Sequence, residues 1–204
     1  MNYAKYGPNS AFTDIIPESR LKQITPKDLV EKIKQLTTYK HRIFYYGQKE
    51  LKEVKDIINR HHEQKKRYAD YPDEKKFAEL ETNENKVLFV HYDMVQAQVL
   101  FISKGEVFNP QLVPYASLFG EYFGSGLSSI TFQEIREARA LAYSAFSAFT
   151  SPRNDDQSHY VYGYVATQVD KMEEASEAML ELMNNMPKAP QQFNSAKEAT
   201  LKKI

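Results

Sequence analysis

An arginine and a tyrosine stand seven residues apart in "FQEIREARALAYSAFSAF" (132–149): Arg136 and Tyr143. Both side chains are hydrogen-bond donors, suited to gripping an oxygen-rich group. The stretch opens as a helix, with apolar Phe132 and Ile135 three apart on one face. It ends as a strand, because "AYSAFSAF" alternates small and aromatic residues. The pair therefore straddles a helix-to-strand junction. On spacing alone each residue also has a purely structural reading. An arginine in a helix's last turn gains about 0.3–1 kcal/mol from the helix dipole, and a tyrosine entering a strand packs its ring and leaves the hydroxyl wet.

No other residues assemble into a catalytic set. The histidines are His41, His61, His62, His91 and His159, and none lies four residues from another. Neither H-E-x-x-H nor the inverted H-x-x-E-H occurs, so no helix face offers two imidazoles to zinc. "HHEQ" (61–64) reads as a solvated helix end, and His91 and His159 as surface or half-buried strand residues. The absence of cysteine excludes disulfides, thiolate nucleophiles and cysteine-ligated metals. "FGSGLSS" lacks the lysine of a phosphate loop and follows no strand. Its glycines end one helix, with a turn at Gly124-Ser125-Gly126, and Ser128 or Ser129 caps the next. The spacing also misses the G-x-S-x-G of a serine nucleophile elbow.

The elements that must position the pair follow from pattern. A chain of 204 residues, 42% hydrophobic and 26% charged, can bury one substantial core. Twenty-seven basic residues balance twenty-seven acidic ones, which argues against a nucleic-acid partner. "KKR" (65–67) sits among acids and reads as solvated surface. No apolar run approaches the ~18 residues of a membrane span, so the expectation is a soluble chain with its compartment left open. "ITPKDLVEKIKQL" (24–36) carries a helix start: Thr25 as cap, Pro26 in the first turn, Asp28 closing a capping box. "HRIFYYG" (41–47) reads as a strand and "KELKEVKDIINRHH" (49–62) as a helix. "KVLFVHY" (86–92) and "VQAQVLFI" (95–102) read as a strand pair or one bent strand. "PQLVPYASLFGEYFGSG" (110–126) reads as a helix with Leu112, Tyr115, Phe119 and Tyr122 inward. "SPRNDDQS" (151–158) joins "AYSAFSAFT" to "HYVYGYVATQV" as a hairpin. "DKMEEASEAMLELMNNM" (170–186) is an amphipathic helix with Met172, Met179, Leu182 and Met186 on its buried side. The sum is an α+β fold, a two-layer sandwich of a mostly antiparallel sheet covered by helices.

"YFGSGLSSITFQEIREARALAYSAFSAF" resembles the signature of the insulinase/pitrilysin/processing-peptidase family of zinc metallopeptidases. In that family a Gly/Ser turn leads into "SxLFQELRExxxLAYS" and an alternating strand. The resemblance extends over roughly residues 20–204, through the opening helix, "HRIFYYG", the hairpin and "FNSAKEATLKKI", with its specificity concentrated in 122–145. It implies an insulinase-like repeat of the C-terminal, non-zinc kind, because the H-x-x-E-H helix is lacking. Residues 1–20 are then a linker or the truncated end of a preceding segment. Residues 21–204 are a single domain, and both ends look cut from a longer protein. In the family, an arginine and a tyrosine matching Arg136 and Tyr143 reach across a chamber to the substrate backbone near the metal. Arg139 lies off the matched position, and Ala140 departs from the glycine that many members carry.

The resemblance thus implies a substrate-binding domain of a zinc metalloendopeptidase, with Tyr143 and Arg136 as its contacts to substrate and transition state. It implies no cofactor or metal ligand in this chain, and zinc in the catalytic domain of the parent. The expected partners are that zinc-bearing domain or subunit and a peptide held as an added β-strand. The alternative is an interaction or assembly module of the same fold that has lost peptidase activity.

Overall fold

A computed structural model describes residues 1–62, 66–124 and 126–203. The expected roles of Glu63 and Gln64 in "HHEQ", of Lys65 in "KKR", of Ser125 in the glycine turn and of Ile204 at the helix end lie outside the described residues. Two compact units result: Ala11–Phe77, and Met1–Ser10 together with Ala78–Ile204. A short helix, α1 (Asn2–Tyr6), belongs to the second.

The unit Ala11–Phe77 carries α2 (Glu18–Leu21), α3 (Pro26–Leu36) and α4 (Leu51–His61). Helix α3 starts as its sequence dictates. The Thr25 amide donates to Asp28 Oδ2 at 2.8 Å, and the Asp28 amide donates back to Thr25 Oγ1 at 3.3 Å. Donation from the Thr25 backbone, then from its hydroxyl, holds the Asp28 carboxyl below its ordinary pKa. The strand expected at 41–47 is not formed. Among the described residues the neighbouring bridge is an isolated one, Tyr39 to Ala69, and Phe44 and Tyr46 stay exposed. Strand-forming residues need a paired neighbour and a surface to cover, and this segment has neither.

The second unit is built on a three-stranded antiparallel sheet in the order β1-β3-β2. Its strands are β1 (Gln96–Val107), β2 (Ser144–Thr150) and β3 (Ser158–Gln168). Strands β2 and β3 form the expected hairpin, in register from Ser144 opposite Ala166 to Thr150 opposite Tyr160. β1 flanks the other side, with Gln96 opposite Gln168. It starts within the predicted strand and runs past it, whereas 86–92 is irregular and leaves Val87 and Phe89 exposed. That second predicted strand fails as the first did, for want of a ladder.

Helices α5 (Val113–Phe119), α6 (Met172–Asn184) and α7 (Pro190–Leu201) complete the unit. The core joins Phe123, Ile135, Leu141, Ala145, Val165, Met179 and Leu182. Met179 and Leu182 are buried as expected. Met172 and Met186 are exposed, because they stand at the first turn of α6 and beyond its end. Tyr115 also departs from expectation and is exposed. Helix α5 widens into a π-helical turn at Gly120–Gly124, which breaks the 3.6-residue period on which the inward set was read. Ala116, Tyr122 and Phe123 are buried there. The Tyr122 hydroxyl donates to Pro187 O at 2.6 Å and accepts from Ala189 N at 2.9 Å, tying down the turn between α6 and α7. The result is the α+β sandwich expected, helices against an antiparallel sheet. Among the described residues no helix is long and apolar enough to cross a membrane.

Residues 1–10 and 78–81 pack with this sheet. The Leu80 amide donates to Lys5 O at 2.7 Å, and Lys5 Nζ stands 4.0 Å from the centroid of the Tyr160 ring. Burial, then the Glu79 carboxylate, pushes the Tyr160 phenol well above its ordinary pKa.

The π-helical turn touches β2 through Gly124, where a Cβ would lie 2.5 Å from the Ser147 carbonyl oxygen. Gly124→Ala should therefore destabilise the fold by about 1–3 kcal/mol, the usual cost of overpacking. Thermal unfolding followed by circular dichroism reads the effect; an unchanged midpoint would show that the turn yields freely.

Candidate functional site

The stretch that carries Arg136 begins with a cap. Ser129 Oγ accepts from the Phe132 amide at 3.3 Å and donates to Gly126 O at 2.9 Å. Ser129, rather than Ser128, is thus the capping serine. From Phe132 to Ala138 the helix is π-wound. Its inward anchor is Ile135, fully buried, and the next residue, Arg136, falls on the outer side.

The chain then reverses. The Leu141 amide reaches back to Ile135 O at 3.1 Å, across Ala140, whose φ of 49° is left-handed. Leu141 is buried, and its carbonyl accepts from Thr167 Oγ1 at 2.5 Å. The Tyr143 amide donates to Ala166 O at 2.9 Å. The corner is thus tied back to Ile135 on one side and to β3 on the other.

The two side chains named from the sequence open onto one pocket of about 290 Å³, which Lys171, Gln168 and Glu137 also line. Neither is turned into the fold's interior: Tyr143 is 56% exposed and the Arg136 side chain 46%. The Arg136 guanidinium carbon lies 4.7 Å from the centroid of the Phe132 ring, and its Nε lies 3.6 Å from Glu137 Oε1. One contact stiffens the stem and the other orients the head. Tyr143 Oη accepts from Gln168 Nε2 at 3.1 Å. With its oxygen so engaged, the phenol keeps its own hydrogen to donate into the pocket. Arg139 points elsewhere and pairs with Glu181 on α6 at 3.4 Å.

Gln168 and Lys171 escaped the sequence reading. They lie at the far end of β3 and meet Tyr143 only through the β2–β3 register, for which local sequence carries no signal. The histidines also rearrange. His41 and His62, far apart in sequence, bring their Nε2 atoms to 2.7 Å. His159 is fully buried, not a surface strand residue. It stacks on Phe108 and accepts from the Asn109 amide at 3.0 Å. Among the described residues no group of three or more His, Cys, Asp or Glu side chains is placed to hold a metal ion.

Comparison with known proteins bears on most of the chain, including both compact units. The family model described as "Peptidase M16 inactive domain" matches residues 23–200. A solved structure, the crystal structure of peptidase M16 inactive domain from Pseudomonas fluorescens, is similar at 18% identity with a TM-score of 0.43. The match covers 53% of this chain and 26% of that one. No curated protein matches the chain.

The left-handed backbone at Ala140 costs a residue with a Cβ about 1–2 kcal/mol, partly offset by the lower entropy of alanine in the unfolded chain. Ala140→Gly should therefore stabilise the fold by about 0.5–1 kcal/mol. Chemical denaturation of the two proteins side by side tests this. A less stable glycine variant would mean that the corner is relaxed as it stands.

Proposed function

Because the chain belongs to the peptidase M16 family, as one of its inactive domains, we propose that it closes over a peptide at the active site of a zinc-bearing partner. In this reading Arg136 and Tyr143 donate hydrogen bonds to the substrate there. Residues 21–204 act as one family domain, with 1–20 as its lead-in. The partner is a catalytic domain or subunit of the same family.

The observation that carries the reading is the shared opening of two donors onto one pocket, with the Tyr143 oxygen already occupied by Gln168. A donor whose other hydrogen-bonding position is filled by its own protein is preorganised toward a ligand. Cleavage of a peptide builds negative charge on the carbonyl oxygen, and donors fixed in advance favour that transition state. Tyr143 is the residue we assign to that oxygen. Arg136, steadied by Phe132 and Glu137, orients it or binds a neighbouring substrate carbonyl. Zinc has no ligand set among the described residues of this chain, so no chemical step on the metal is assigned to them. An assembly role without catalysis is a second reading, favoured by the exposed Val87, Phe89 and Val90, since contiguous exposed apolar residues mark interaction surfaces.

Two outcomes follow. The chain by itself should neither hold stoichiometric zinc after dialysis nor cleave peptides in a metal-dependent way, as metal analysis and a peptide-hydrolysis assay would show. In the assembled enzyme, Tyr143→Phe should lower kcat by about 100- to 1,000-fold, the usual cost of one lost oxyanion donor. The circular dichroism spectrum should not change. Unaltered turnover would take the tyrosine out of the reaction and leave it a structural role.

A further inference from the structure

The charges around the pocket narrow what it can hold. Arg136 and Lys171 contribute two cations, and the one acid lining it, Glu137, stands against the Arg136 guanidinium. Among the described residues Lys171 has no ion-pair partner. Tyr143 adds an O–H directed away from Gln168. One positive charge is therefore left unbalanced beside two further donors, in a concavity of about 290 Å³. A neutral peptide carbonyl accepts at most two of these hydrogen bonds and leaves the charge of the ammonium unbalanced. A carboxylate lying beside the carbonyl that Tyr143 holds accepts from the ammonium, and bidentately from the guanidinium, and supplies the missing charge.

We infer that this pocket binds a carboxylate of the peptide, with Lys171 as the residue that selects for it. The proposal rests on the peptide-contact reading above and adds the substrate class. The carboxylate has two possible sources, an Asp or Glu side chain or a free C-terminus, and both present the same acceptor geometry. Lys171 sits in the short turn Val169–Lys171 that follows β3, directly after Gln168. Strand β3 leads straight into that turn, and the flexible stem lets the ammonium follow the ligand.

The test uses the full chain, labelled with 15N, and four synthetic peptides of one sequence. They carry Asp or Asn at one internal position and a free or amidated C-terminus. Backbone amide shifts at Ala142, Tyr143 and Lys171 report binding. The peptides bearing a carboxylate at the recognised position should bind about fivefold more tightly than the fully neutral one, the scale of a partly exposed ion pair. Raised salt should erode the difference. Comparing the two singly charged peptides identifies the source. Lys171→Gln should bring the preferred peptides down to the level of the neutral one.

Equal binding of neutral and acidic peptides overturns the carboxylate assignment while the peptide-contact reading stands. So does an acid preference that survives in Lys171→Gln. If no peptide moves these amides, the carboxylate assignment falls, while the peptide-contact reading is decided by the turnover of Tyr143→Phe in the assembled enzyme.

Discussion

The site depends on how one corner of the chain is pinned. Ile135 and Leu141 are buried on either side of it, and β3 takes the Leu141 carbonyl and the Tyr143 amide as hydrogen-bond partners. Burying side chains of this size contributes about 1.5–3 kcal/mol each, and each internal hydrogen bond adds about 1 kcal/mol. Those contributions outweigh the left-handed alanine in the middle of the corner. Arg136 directly follows the buried Ile135 and so falls on the outer side, while Tyr143 lies two residues past Leu141 where its amide is tied to Ala166 and its side chain is exposed.

The same economy explains the two π-helical segments, Gly120–Gly124 and Phe132–Ala138. A π turn weakens the helix locally and tends to persist where tertiary packing outweighs that weakness. Here the first brings Tyr122 and Phe123 into the core and sets Gly124 against the edge strand β2. The second puts Ile135 into the core beneath the junction. Both segments flank the serine-capped turn that launches the site, and both displace side chains from the positions an ordinary helix would assign. Tyr115, in the regular helix before the first of them, is exposed although its spacing relative to Tyr122 places it inward.

How much was legible depended on how local the deciding interactions are. The capping box at Thr25 and Asp28 involves residues three apart, and it forms as read. The hairpin of β2 and β3 closes through a short polar loop, and its alternating residues pair as expected. Segments 41–47 and 86–92 have the same strand-like composition, yet they form no ladder. Pairing is a property of two segments, and composition describes one. The family resemblance concentrated in 122–145 agrees with the family model that matches residues 23–200, because that signature is itself a local string of turn, helix and strand.

The sequence alone determined which residue types stand at the junction and how far apart they are. Residue spacing along a helix or strand fixes their mutual placement within a few ångströms. The tertiary structure decided what surrounds them. Gln168 and Lys171 reach the pocket only because β3 runs antiparallel to β2 in the register that sets Ser144 opposite Ala166. His159 is buried for a similar reason, held between Phe108 and the Asn109 amide from the segment following β1. Register is chosen by the whole core at once, since a slip of one residue would turn every buried side chain of the strand outward. No window of sequence contains that choice.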